Sequence, residues 1–199
     1  MIPRTLLTIA AAAALAGCSL GGLLGGGGKP PPTLQTLTPE AADPGAVARS
    51  AAAGQAVTIA VPVVGRELQT VRVPVQLTPI DVQYVTNLQW VDTPDRLFQN
   101  LLQETVRRTT NRVVLDPNQT GLDPGLVLHG ELERFDYNAS TGQVEVVFNG
   151  SLSSGEGAQV QTRRFVATAP ADGTGPSVGP ALNRAANEVA LEVAKWIGG

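Results

Sequence analysis

An α+β fold of two layers is predicted by the sequence, a mainly antiparallel β-sheet with two amphipathic helices packed on one of its faces. Three patterns carry that expectation. Valine-rich segments between Val57 and Val85 alternate with period two, the period lengthens to helical spacing after Thr93, and a second helical stripe follows three further strand-like segments. Two helices of this length cover one face of such a sheet.

The first strand is marked by Val57, Ile59 and Val61, which alternate with smaller or polar residues and stop at Pro62. Val71, Val73, Val75 and Leu77 repeat the pattern, and Pro74, lacking an amide proton, puts this second strand at a sheet edge or at a bulge. Ile80 to Val85 reads as a short strand with Ile80, Val82 and Tyr84 on one face. Thr93 is then a candidate N-cap, with Pro94 at the first helical position and Asp95 in the positive first turn. Leu97, Leu101 and Val106, with Phe98 and Leu102, form an apolar stripe from Pro94 to about Thr109. Arg96, Gln99, Asn100, Gln103, Glu104, Arg107 and Arg108 fall on its solvated side. After a short strand, Arg112 to Leu115, come Leu126 to Tyr137, Gln143 to Leu152 and Gln159 to Ala169, an expected antiparallel meander. Val144, Val146, Phe148 and Leu152 oppose Glu145, Asn149 and Ser151 in the middle strand. Its flanking loops, Asn138 to Gly142 and Ser153 to Gly157, carry turn residues. In the last strand the apolar phase slips near Arg163-Arg164, which predicts a bulge there. Val178, Leu182, Ala185, Val189, Val193 and Trp196 trace one face of a long helix stopped at Gly198.

Residues 55–199 are thus the expected folded domain, and about 140 residues suffice for one hydrophobic core. Ahead of it, Leu15-Ala16-Gly17-Cys18 reads as a bacterial lipobox. Arg4 supplies a positive start and Leu6 to Ala16 an apolar run shorter than the roughly 20 residues of a membrane span, so residues 1–17 read as a signal peptide. Resemblance to lipoprotein precursors implies that Cys18 becomes a lipidated N-terminus; the alternative is a secretory signal with an incidental cysteine. Ser19, a non-aspartate residue after the cysteine, fits sorting to the periplasmic face of the outer membrane. Residues 18–54 read as a Gly/Pro/Ala-rich tether. Gly25 to Gly28 leads into Pro30 to Pro32, and about 38 residues give a reach of roughly 35 Å. Thr33 to Thr38 could interrupt it as a short edge strand.

Composition narrows the function. A net charge of −3, no basic run and 4% aromatic residues exclude the footprint of a nucleic-acid binder. Cys18 is the only cysteine, which leaves no thiol for a disulfide, redox or metal site once it carries lipid. The glycine run has no strand before it and no Lys-Ser/Thr after it, so it is not a phosphate cradle. His129, the only histidine, alternates with Glu131 and Glu133 on a strand face; a solvated face explains this as well as a ligand set does. Asp116-Pro117-Asn118 and Asp123-Pro124-Gly125 lack calcium-loop spacing and read as turns. No nucleophile elbow, zinc-protease pair or Ser-x-x-Lys occurs. Catalytic residues, metal and cofactor are therefore not expected. Trp90 stands outside the sheet pattern: it either packs over the start of the first helix or, with Arg96, Asn100 and Arg107, forms a partner surface.

Tyr84, Trp90-Val91-Asp92-Thr93-Pro94, Leu101-Leu102, Leu128-x-Gly130-x-Leu132-x-x-Phe135-Asp136 and the Ala-rich helix to Trp196 together resemble the ABC-type transport auxiliary lipoprotein family. The resemblance runs from about Thr33 to Ile197. It implies a non-catalytic adaptor at the outer-membrane end of an intermembrane lipid transport system, whose partners are an inner-membrane ABC transporter and an Mce-domain periplasmic protein. Self-association stays open. The alternatives are a structural lipoprotein of another envelope machine and an envelope enzyme acting on lipid or glycan.

Overall fold

A computed structural model describes residues 33–52, 55–117, 125–154 and 159–198. Residues 1–17, Cys18 and the chain up to residue 32 lie outside the described residues, as do Asn118-Gln119-Thr120, Asp123-Pro124 and the middle of the Ser153 to Gly157 loop.

The elements run β1 (Val57–Ile59), β2 (Val63–Val64), a 3₁₀ turn (Arg66–Leu68), β3 (Arg72–Thr78), β4 (Asp81–Gln89), α1 (Pro94–Thr109), β5 (Val114–Leu115), β6 (Leu126–Asn138), β7 (Gln143–Ser154), β8 (Val160–Pro170) and α2 (Gly175–Gly198). The α+β class holds, with the sheet mixed. β6, β7 and β8 form the expected antiparallel meander, paired along almost their whole lengths. The free edge of β6 is then lined in succession by β1, β2 and β3, all parallel to it. Pro62, which cannot donate to the ladder, stands between β1 and β2, and the 3₁₀ turn separates β2 from β3.

Both helices cover one face. Phe98 of α1 meets Phe148 of β7 with ring centroids 5.4 Å apart, and Trp196 of α2 meets Phe165 of β8 at 5.5 Å. Phe148 and Phe165 are themselves cross-strand partners. Trp90, Phe98, Phe135 and Phe148 are the largest fully buried side chains of this core.

Several local expectations are corrected. β8 runs against β7 without a register shift, so no bulge lies at Arg163-Arg164; Val160 simply points to the helix-free face, where it is exposed. The bulge falls instead in β6 between Leu132 and Arg134. Of the two settings expected for Pro74, a sheet edge or a bulge, the structure has the second: β3 is internal, between β4 and β6, and its register against β4 shifts between Arg72 and Pro74. β4 spends the residues from Gln89 to Tyr84 opposite only Arg72 to Pro74, an excess that includes Asn87 at φ 57°. Val82 and Tyr84 share a face, but Ile80 lies in the turn before β4, and the core residues of β4 are Val85 and Leu88. Gln99, assigned to the solvated side of α1, is buried, and its amide donates to the Ile59 carbonyl at 2.8 Å. The Thr93 hydroxyl makes no capping bond, although Thr93 holds the N-cap position.

Residues 35–41, placed by composition in the tether, run over the domain as a strap. Gln35 forms a single parallel bridge with Trp90, donating to the Gln89 carbonyl and accepting from the Val91 amide. Leu37 packs against the core.

Candidate functional site

Two asparagines of α2 clamp the strap. Asn187, 7% exposed, accepts from the Glu40 amide at 2.7 Å and donates to the Thr38 carbonyl at 2.9 Å, while Asn183 accepts from the Thr38 amide at 2.8 Å. A primary amide offers a donor and an acceptor in the geometry of a peptide bond, so α2 pairs with the strap as a sheet edge would. Arg108 of α1 completes the grip by donating to the Ala41 carbonyl at 2.9 Å. Beside the strap lies a cleft of about 420 Å³ lined by Glu40, Ala41, Thr105, Arg184, Asn187 and Leu191. The only foreshadowing of the clamp in the sequence was a buried-phase asparagine between Ala186 and Val189.

The predicted partner surface divides. Trp90 is 1% exposed and packs on Phe135 at 5.7 Å, so it belongs to the core. Arg96 and Asn100 are exposed, and Arg107, one helical stripe further, is partly exposed with an ion pair to Glu104 at 3.6 Å. These three share one face of α1 by their spacing of four and seven. Cys18 lies outside the described residues.

The helix-free face of the sheet carries the charged groups. His129 and Glu131 are exposed there, His129 opposite Ser151. The bulge in β6 lets Glu133 and Arg134 both serve this face. Glu133 accepts from Arg164 and from Asn149, and these bonds hold its carboxyl below the ordinary range. Arg134 grips Asp136 through two bonds of 3.0 and 3.1 Å and reaches Glu145 at 3.1 Å. Burial pushes the Asp136 carboxyl upward, and Arg134 opposes that rise without cancelling it. Glu133 and Arg134 are thus each tied to a charge on another strand, Arg164 and Glu145, while Asp136 is held by Arg134 of its own strand. Among the described residues no three His, Asp or Glu side chains are placed to hold a metal ion, and no helix is long and apolar enough to cross a membrane.

The fold has solved relatives. A crystal structure of a Xanthomonas campestris protein of the DUF330 family superposes with a TM-score of 0.67 at 17% identity, over 83% of this chain and 95% of that one. An uncharacterised protein superposes at 0.62 with 16% identity, over 75% and 96%. A PelC dodecamer from Paraburkholderia phytofirmans is more distant, at 0.43 and 15% over 77% and 94%. No curated protein matches the sequence. The family model of the ABC-type transport auxiliary lipoprotein component matches residues 36–194, from the strap to the last turns of α2, and to that family the chain belongs.

Proposed function

We propose that this protein is a lipid-anchored adaptor of an ABC-type transport system, without a catalytic centre of its own, which docks on an Mce-domain protein of the periplasm from the outer-membrane side. One observation carries the reading: the family match begins at the strap and ends in α2, so it spans the described domain rather than a part of it. The geometry agrees with a platform. Its interior is filled by large side chains, and on the helix-free face of the sheet Arg134 is tied to Asp136 and Glu145 and Arg164 to Glu133. The exposed stripe of Arg96, Asn100 and Arg107 is the candidate docking face, since arginine beside neutral polar groups is enriched at interfaces.

The test is co-purification of the tagged protein with Mce-domain proteins of the same cell. Reversing Arg96 and Arg107 to Glu should release the partner and leave thermal unfolding within about 0.5 kcal/mol of the parent, as expected of exposed charges. Retained binding by the double variant removes the α1 stripe from the interface. Failure of the unmodified protein to bind removes the adaptor reading.

A further inference from the structure

The hairpin joining β3 to β4 runs on past the last ladder contact of β3 with β6. β3 pairs with β6 only at Val75 and Gln76, opposite the last residues of β6, and residues 77–83 are all exposed. This tip is apolar: Ile80 is 89% exposed, Val82 44% and Leu77 38%, with Pro79 between them and no Lys or Arg from 77 to 83. The tip is also built to keep its shape. The Thr78 hydroxyl donates to Asp81 at 2.7 Å and accepts from the Asp81 amide at 3.1 Å, while the Gln76 amide donates to the Thr78 carbonyl. An apolar turn tied by its own polar side chains presents Ile80 without paying to order it at contact.

One step further from the tip the chemistry changes. Tyr84 follows Val82 on the same face, two residues or about 7 Å along the strand, and the Arg72 guanidinium stacks over its ring at 4.2 Å. Apolar side chains ahead of a tyrosine and an arginine form the sequence of layers that crosses from acyl chains to headgroups at a bilayer surface. The path of the chain points the same way. The strap pairs with Trp90 in parallel, so it runs as β4 runs, away from the tip, and Thr33 and Leu34 lie on the tip side of Gln35. β4 has nine residues, about 30 Å, whereas the chain from Cys18 to Gln35 has a contour of about 55 Å, enough to let the tip reach the surface that holds the anchor.

The geometry points to the β3–β4 tip, with Ile80 at its apex, as a second, shallow membrane contact that rests on the lipid-anchor reading of Cys18 and orients the domain on the bilayer. Val82 and Leu77 enter the interface beside Ile80, and Tyr84 with Arg72 sits at the headgroups. Asp81 accepts the Thr78 hydroxyl and keeps its charge, which holds the contact shallow.

The experiment uses the full-length, lipid-modified protein in phosphatidylcholine vesicles, isolated by flotation. An environment-sensitive fluorophore is placed on Ile80→Cys or, as control, on Val166→Cys, which is 52% exposed on β8. Cys18 is the only native cysteine and is blocked by lipid in the anchored protein. The expected result is blue-shifted emission at position 80, with severalfold slower quenching by an aqueous quencher than at position 166. Floated protein whose two positions are equally water-exposed, or equally shielded, overturns the tip contact and leaves the anchor standing. Protein that does not float at all overturns the anchor reading, and the tip contact with it.

Discussion

At the scale of residues, the clamp on the strap is the feature with the most at stake. Asn187 satisfies a backbone donor and a backbone acceptor of the strap at once, and it also donates to the Asn183 carbonyl at 2.8 Å. Replacing it by Ala leaves the Glu40 amide and the Thr38 carbonyl without these partners, a loss of about 1–3 kcal/mol. Asn187→Ala should therefore lower the unfolding free energy by that amount, read as a lower denaturant midpoint at unchanged slope, and expose the Thr38 and Glu40 amides to hydrogen exchange. Asn187→Asp keeps the acceptor for Glu40 but sets a carboxylate oxygen against the Thr38 and Asn183 carbonyls at a buried position, so it should cost at least as much as Ala. A parent-like midpoint in Asn187→Ala would show that the strap contributes nothing to stability. The same scale explains what the sequence concealed. Trp90 and Gln99 were legible as identities and ambiguous as environments: an aromatic beside arginines describes an interface as well as a core, and a glutamine on a helix describes a solvated face until a strand carbonyl is set opposite it.

At the scale of elements, periodicity was a reliable guide wherever one face was buried. α1 begins and ends where the Thr93-Pro94 start and the apolar stripe place it, and the inward phase of β7 is the one its valines and Phe148 announce. It failed where burial was not the organising force. The two arginines of β8 imitate a phase slip because Arg163 lies on the helix side, over the Phe165 ring at 5.1 Å and 4.0 Å from Glu192, whereas Arg164 turns outward to Glu133. The parallel pairings of β1, β2 and β3 were likewise unreadable, since short valine runs do not record the direction of their neighbour. The glycines of the meander did carry information. Gly130 and Gly150 face each other across β6 and β7 on the inward side, and the Phe148 ring lies over both. A Cβ at Gly130 would come within 2.5 Å of that ring and of the Asn149 carbonyl. Gly130→Ala should cost about 1–3 kcal/mol through displacement of Phe148, which packs against both Phe98 and Phe165. Near-ultraviolet circular dichroism should report the ring shift together with the lowered melting temperature; an unchanged spectrum and transition would mean that the pair is not a packing requirement.

At the scale of the molecule, the strap decides where the domain begins. Its composition, poor in large apolar residues, matches a tether because it is held mainly by backbone groups; Leu37 is the residue that packs on the core. A chain beginning at Thr33 keeps every contact of the strap and should melt with the longer protein. A chain beginning at Asp43 loses the bridge to Trp90, the two asparagine contacts, the Arg108 bond and the Leu37 packing. The ordering entropy of some eight residues, at about 1–2 kcal/mol each, offsets much of that gain, so the net loss should be modest, about 1–3 kcal/mol or roughly 3–10 °C. The decisive measurement is the coupling. In the shorter chain Asn187 has no strap to hold, so Asn187→Ala should cost much less there than in the chain beginning at Thr33, a difference that a double-mutant cycle reads directly. Equal cost in both backgrounds would mean that Asn187 acts within α2 alone, through its bond to Asn183, and that the folded domain starts at β1 with the strap lying on it as a passenger.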